Sequence, residues 1–451
     1  MATSPAFLNE PQRKTAVAGV FDIFVLGGGP AGIAAAAAAA QHGRNVLLVE
    51  RYGFLGGMGT AAGVTNFCGL HANVHGEIKQ VVHGIADELL SCIDVLGGLN
   101  KPHLVFRKIL AQAYDIAAYK CAADQLLLSK KANIQFHALA TSAVMAAKDR
   151  IEALIVETKS GRSAILAKVF IDCSGDGDLA AFAGVPFEKG GDDGNLLYPT
   201  MMFRVAGVDP ATAGEAWRTV PELMAQAEQR GMKFPRKGAI VRPQKHTGEW
   251  RVNVTQVTSR NGGAIDGTDA LELSYGEIEG RHQALEFFKF LRAQVPGFAD
   301  AYIVDIPPQL GIRETRRIAG LYQLTADDVV NCASFSDTVG VNGWPIESHV
   351  AGDVEWRWPD IPASRGFNHL PYRMLVPRGM RNLLVAGRCA SMTHDGQSAA
   401  RVSGGCFVMG QAAGTAAHLA LASNKDCPDI DVDTLQKLLE SDGAYLGRDV
   451  G

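Results

Sequence analysis

Gly27-Gly28-Gly29-Pro30-Ala31-Gly32 is the segment that most narrows what this chain can become. It follows an apolar run of strand length, Phe21–Leu26, and leads into an alanine-rich helical stretch, Ile33–Gln41. His42-Gly43 stops that helix, and Asn45–Glu50 reads as a second buried strand. Strand, glycine turn, helix and strand make a βαβ unit. The turn has the GxGxxG spacing of a dinucleotide fingerprint. Gly27 permits a tight turn out of the strand, Gly29 lets the backbone approach a pyrophosphate, and Gly32 allows close helix–sheet packing. Pro30 and Ala31 open the helix, whose free N–H groups and positive dipole end suit phosphate. Glu50 ends the second strand, where a carboxylate can accept ribose hydroxyl hydrogen bonds.

The rest of the chain arranges itself around that unit. Its 451 residues suit two or three domains. Residues 1–19 are polar and aperiodic and read as a tail. The steps of Ile78, Val81, Val82, Ile85, Leu89 and Ile93 predict an amphipathic helix over Glu77–Leu96. A further helix is expected over Tyr114–Lys130. The pattern then turns strand-like at Asn133–His137, Thr141–Ala146, Ile151–Thr158 and Ser163–Lys168, a short β-meander set before a separate strand, Val169–Ile171. Residues 185–367 differ in texture, with strands at Met201–Val205 and Trp250–Val257 and a long helix at Thr268–Val295. The buried-strand pattern returns as NLLVAGR from Asn382, and a Gly/Ala-rich helix, Gly404–Ala422, follows. The expected division is 20–184 and 368–426 for a split nucleotide domain, 185–367 for an inserted substrate or cap domain, and 427–451 for a C-terminal segment.

Four segments choose the nucleotide. After the first fingerprint comes ERYGFLGGMGT, Glu50–Thr60, which resembles the second glycine signature of the glutathione-reductase-like FAD families. Arg51, Gly56 and Gly57 match it, with Met58 and Thr60 in the same segment. DCSGDGD, Asp172–Asp178, resembles the third signature and offers Ser174, Gly175 and Asp178. LLVAGRCAS, Leu383–Ser391, resembles the final strand, with Gly387 and Arg388 facing the pyrophosphate and ribityl chain. Val144, in the run Thr141–Ala146, completes the expected FAD set. From Phe21 to Ala422 the chain resembles the bacterial FAD-dependent oxidoreductase family, related to fumarate reductase and succinate dehydrogenase flavoproteins. Further matching blocks are VVHGIADELL from Val81, GIRETRRIAGLYQLTADDV from Gly311 and the long block from Gly387 to Ala417. The resemblance implies an α/β fold: a discontinuous glutathione-reductase-type FAD-binding Rossmann domain with an inserted α+β substrate or cap domain. ARVSGGC resembles the NRLGGN stretch of fumarate reductases, where an Arg lies over the flavin as proton donor. Arg401, Gly404 and Gly405 match, and Cys406 replaces the Asn. Covalently flavinylated relatives carry a His just after their Gly-Gly pair; GGMGTAAG has none, so non-covalent FAD is expected.

A flavin carries hydride transfer itself, so the protein must place the substrate and move the matching proton. His394 and His349 suit that proton near neutral pH, and Arg401 and Arg313 suit a carboxylate or enolate oxygen. These four are the catalytic candidates. The bland alternatives are an ion-paired helix for Arg313 with Arg316, a structural histidine for His349, and a loop-ordering pair with Asp395 for Arg401. His71, His75 and His83 invite a metal reading, with His71 and His75 spaced to share a helix face. No HExxH, carboxylate or thiolate set accompanies them, and no metal is expected.

The net charge of -4 and the lack of Lys/Arg runs argue against a nucleic-acid partner. Eight scattered cysteines without CxxC exclude zinc ribbons and iron–sulfur runs and fit a reducing cytoplasm. No secretory leader and no membrane span is read. The expected function is hydride transfer between flavin and a small organic substrate, an anionic one being what the arginines suit. The electron acceptor or donor is left open, as is homo-oligomerisation. An FAD monooxygenase, and a non-catalytic binding or escort protein on the same fold, are the competing readings. No second dinucleotide motif follows Gly32 to serve NAD(P)H.

Overall fold

The fingerprint folds as a βαβ unit in the computed structural model, which describes residue 10 and residues 13–450. Strand β1 (Ala16–Leu26) enters the turn, helix α1 (Pro30–Gln41) leaves it, and β2 (Val46–Val49) lies parallel to β1. Helix α2 (Ile116–Ser129), N-capped by the Asp115 side chain, leads to β3 (Asn133–Gln135), which pairs parallel with β2. The antiparallel strands β4 (Leu139–Ala147), β5 (Arg150–Thr158) and β6 (Gly161–Asp172) follow. A four-stranded antiparallel sheet comes next, built from β7 (Phe203–Ala206), β8 (Ile240–Pro243), β9 (Trp250–Asn253) and, after helix α3 (Ala270–Gln294), β10 (Tyr302–Asp305). Strand β11 (Leu383–Val385) returns to the first sheet, and helices α4 (His394–Ala400) and α5 (Ser403–Ser423) follow it.

The first sheet has seven strands in the order β3-β2-β1-β6-β5-β4, with β11 also on β6. Strand β6 serves two partners along one edge. Ala164 and Leu166 pair with β5, while Phe170–Asp172 pair with β11. Its other edge runs parallel to β1 throughout. Helix α1 is buried from Ala31 to Ala40 because α5 covers the side that the sheet does not. Alanines on α1 and glycines on α5 let the two backbones approach: a Cβ on Gly410 would lie 2.1 Å from the Ala31 carbonyl oxygen.

A second core, drawn from residues between Met201 and Ile312, fills the space between the four-stranded sheet and α3. Residues after it, such as Ile318, Val341, Ile346 and Phe367, join the first core. The packing therefore separates near residues 200 and 312, not at the expected 185 and 367, because Thr338–Asn342 packs against α5.

Other expectations change as well. Most of the expected 1–19 tail lies outside the described residues, but Ala16 and Gly19 already pair with β6. The helix expected over Glu77–Leu96 begins only at Ile85; Glu77–Gln80 is a strand paired with His71–Val74. His75 and Gly76, with φ of 49° and 91°, make the hairpin turn, and Gly84, with φ of 72°, separates strand from helix. His71 and His75 thus share no helix face. Ser163–Lys168 and Val169–Ile171 are one strand, since no turn residue divides them. Among the described residues, no helix is long and apolar enough to cross a membrane.

Candidate active site

One cavity of about 440 Å³ runs from the β1–α1 turn to the four-stranded sheet. At its nucleotide end, Gly27 turns with φ of +97°, and a Cβ there would meet the Cys173 carbonyl oxygen at 2.5 Å. A Cβ on Gly32 would stand 1.8 Å from the Gly27 carbonyl oxygen, so only glycine lets helix and turn meet. Helix α1 starts at Gly29 with no side-chain cap, leaving its first N–H groups free for an anion. The Glu50 carboxylate accepts the Gly28 N–H at 2.6 Å and the Tyr52 N–H at 3.0 Å. Arg388 donates to Asp176 at 2.9 Å and to Thr315 at 3.0 Å, and Arg51 lies 3.8 Å from Asp176. Gly27, Gly29, Pro30, Ala31, Glu50, Arg51, Gly57, Met58, Ser174, Gly175, Gly387, Arg388 and Cys406 all line the cavity. A glycine cradle, an uncapped helix start, a ribose-side carboxylate and two guanidiniums fit the FAD that the signatures imply.

The far end is rich in arginine. Arg313 is 7% exposed, and among the described residues its guanidinium makes one hydrogen bond, to the Tyr198 carbonyl at 2.6 Å. Arg401 donates to the Glu347 backbone carbonyl at 3.3 Å, while its buried Nε has no partner. Among the described residues, the one carboxylate lining this end is Glu347, held 3.2 Å from His349 Nε2 and accepting the Trp344 indole N–H at 2.9 Å. Burial would raise the Glu347 carboxyl, but His349, Arg401 and Trp344 outweigh it and hold it at about 2. Burial, then Arg313, pushes the His349 imidazole well below its ordinary value, so the ring is neutral. Burial, then Arg401 and Arg236, likewise pushes the Arg313 guanidinium down. Cys68 and Cys406 line the same space, and burial pushes both thiols up to about 12, so neither is a thiolate at neutral pH.

Arg313, His349 and Arg401 therefore come together, but His394 does not join them. Its Nδ1 lies 2.8 Å from Glu314, a buried carboxylate that also pairs with Arg317. Position alone, just beyond the final strand, pointed to His394; the Thr393 cap starts α4 there and the ring turns toward Glu314 instead. Arg316 pairs with Asp178 at 2.8 Å, which takes Asp178 out of the lining. Thr60 lies behind the wall, where its hydroxyl donates to the Leu55 carbonyl at 2.7 Å and braces the Gly56-Gly57 turn. Gly404 and Gly405 serve backbone packing, since Cβ atoms there would come within 2.1 Å of Gly69 and 2.4 Å of Ala400. Val144 does not line the cavity: it sits on β4, pairs with Ala153 on β5 and is exposed. Glu347, Arg242, Arg251, Asn253, Trp344 and Trp356 also line the cavity and were not singled out from sequence. Glu347 lies two residues before His349 in sequence, the one local signal that could have drawn attention to it. Among the described residues, no group of His, Cys, Asp and Glu is placed to hold a metal ion.

A family model described as FAD dependent oxidoreductase matches residues 22–439. No curated protein matches the chain. Among solved structures, the chain is similar to a geranylgeranyl bacteriochlorophyll reductase-like protein from Thermoplasma acidophilum, with 12% identity, 96% of this chain and 84% of that one covered, and a TM-score of 0.44. It is similar to p-nitrophenol 4-monooxygenase from Pseudomonas putida, with 12% identity, coverage of 93% and 84%, and a TM-score of 0.46. A third, anhydrotetracycline hydroxylase from Streptomyces rimosus, has 14% identity, coverage of 94% and 65%, and a TM-score of 0.42.

Proposed function

The chain belongs to the FAD dependent oxidoreductase family, and from that premise we propose that this FAD enzyme passes a hydride between flavin N5 and a small anionic organic substrate gripped by Arg313 and Arg401. The supporting observation is charge. Both guanidiniums line the cavity that holds the glycine turn, and with His349 neutral the one carboxylate beside them, Glu347, leaves that end with a net positive charge among the described residues. Leaving a cation buried and unpaired costs several kcal/mol, on the order of the penalty for a lone buried ion. A substrate acid group offsets that penalty and is oriented by it.

Bound FAD supplies the hydride chemistry; the residues supply position and a proton. The planar forks of Arg313 and Arg401 fix the acid group. Glu347 accepts from Nε2–H of His349, which leaves Nδ1 as the proton acceptor. Burial keeps His349 neutral first and Arg313 second; an anion beside Arg313 offsets the second cause and so eases proton uptake by the ring.

Anaerobic titration of the FAD-loaded protein with small carboxylic acids tests this reading. One or more acids should bleach the visible flavin band, and the matching amides should not. Arg401→Ala and Arg401→Lys should keep FAD and melting temperature while reduction slows by roughly 10²–10³, the usual cost of one such transition-state contact. Rapid NADPH oxidation that yields a hydroxylated product would instead establish a monooxygenase.

A further inference from the structure

We propose that the substrate carries a second anionic group, and that Arg242 and Arg251, side by side on the four-stranded sheet, form its subsite. The inference rests on the reading that an anionic substrate occupies the cavity, and adds that this substrate has an acid group at each end.

The register of the sheet carries the argument. Arg242 on β8 lies opposite Arg251 on β9, Arg251 lies opposite Arg204 on β7, and Arg204 lies opposite Asp305 on β10. Directly paired residues in antiparallel strands share one face, and like charges placed there destabilise the pairing. The other face is committed to the second core through Phe203, Val205, Trp250 and Val252. One end of this row is neutralised, because Arg204 pairs with Glu249 and with Asp305. The other end is not. Among the described residues, neither Arg242 nor Arg251 has a carboxylate within ion-pair distance.

Arg251 is 6% exposed and donates to the Val64 carbonyl, and its buried Nε has no partner. Arg242 has its guanidinium 4.8 Å from the centre of the Trp217 ring. Nearby His103 adds no compensation, since burial together with these two arginines pushes its imidazole down to about 4. Asn253 lines the same stretch, and its amide oxygen is already taken by Arg236 at 3.1 Å. Two adjacent guanidiniums, Arg251 buried and Arg242 half-buried, line the cavity with no carboxylate in ion-pair distance, and suit a carboxylate held in a bidentate fork. Arg313 and Arg401, from other parts of the chain, line the same cavity and form a second group of cations; Glu347 acts on these and, more weakly, on Arg251. Two such clusters call for a dianion, and a small dicarboxylate is the simplest molecule that serves both.

The test titrates the FAD-loaded protein with aliphatic α,ω-dicarboxylates of three to six carbons and with their half-amides, at constant ionic strength. Binding is read from perturbation of the visible flavin spectrum. Each half-amide keeps the length and shape of its parent and loses one charge. At least one dicarboxylate should bind about tenfold or more tighter than its half-amide, the difference that one charge-assisted contact supplies. In Arg251→Gln and Arg242→Gln that ratio should fall to within about twofold, since the contact is gone. Equal binding throughout the series overturns the proposal, and needs no variant, so a poorly folding Arg251→Gln does not blunt the test. A ratio that persists in both variants overturns it as well. If half-amides bind but the second charge adds nothing, the single-anion reading survives alone; if neither form binds, both fall.

Discussion

Glu50 shows how a carboxylate can be committed to the backbone and still face a ligand. Its two oxygens accept the Gly28 and Tyr52 N–H groups, so the charge organises the turn that cradles the nucleotide. Glu50→Ala removes both bonds and exposes two buried donors. Its affinity for FAD should fall by roughly 1.5–3 kcal/mol, the range for hydrogen bonds to a charged group. Glu50→Gln should lose less, because its amide oxygen can still accept one N–H. Quenching of FAD fluorescence on titration into the apoprotein measures both; an alanine variant with native affinity would contradict the role. Glu50 and the glycines were legible because their work is local: one turn, one helix start, one strand end. Glu347 was not, since its partners His349, Trp344 and Arg401 matter only once a cavity gathers them. His394 and Val144 show the converse, where sequence neighbourhood suggested a ligand and the side chain points elsewhere.

At the level of elements, the pairing of α1 with α5 decides how rigidly the nucleotide end is held. A Cβ on Gly414 would lie 2.2 Å from the Ala35 carbonyl oxygen, and backbone cannot move aside as a flexible side chain can. Gly414→Ala should therefore destabilise the fold by about 1–3 kcal/mol, as overpacking does, despite the better helix propensity of alanine. Gly263→Ala is the control, because a Cβ there would come no nearer than 3.9 Å to Ser259 Oγ. Denaturant midpoints compare the two; equal midpoints would mean that the helices can separate without loss. Periodicity located α2, α3 and α5 to within a few residues because α2 and α3 bury one face at helical spacing and α5 is buried almost throughout. It failed over Glu77–Gln80, where the same apolar spacing extends into a hairpin and only Gly84 marks the change.

At the scale of the whole molecule, acid should loosen the fold. Burial pushes His103 and His418 from 6.5 down to about 4, and His349 well below its ordinary value. Between about 6.5 and 4 the unfolded chain binds protons that these rings refuse, so stability falls with pH. Asp172 works against this: burial pushes its carboxyl up to about 6, so the native state gains a proton first. Burial pushes His71 and His369 down as well, and pushes Asp124, Asp178 and Glu277 up, while Asp87 raises His83. The five depressed rings act across the whole span below their ordinary 6.5, which lies above the ordinary carboxylate range, so the melting temperature should drop from pH 7 to pH 4.5. Arg44 Nε donates to His418 Nδ1 at 3.1 Å, a contact that needs the unprotonated ring, so His418→Asn should flatten part of the decline. A melting temperature that holds steady to pH 5 would reject the argument. The βαβ unit, with its glycine turn and the carboxylate at the end of its second strand, was determined by sequence alone. Its requirements are conformational, and glycine spacing, strand runs and a terminal carboxylate state them within contiguous segments. Only tertiary structure decided the substrate half. Arg242 and Arg251 come from two strands, Arg313 from a loop beyond α3, and Glu347, His349 and Arg401 from later still. An arginine's surroundings, paired and bland or buried and uncompensated, depend on which distant carboxylates the fold brings near, and no local pattern records that.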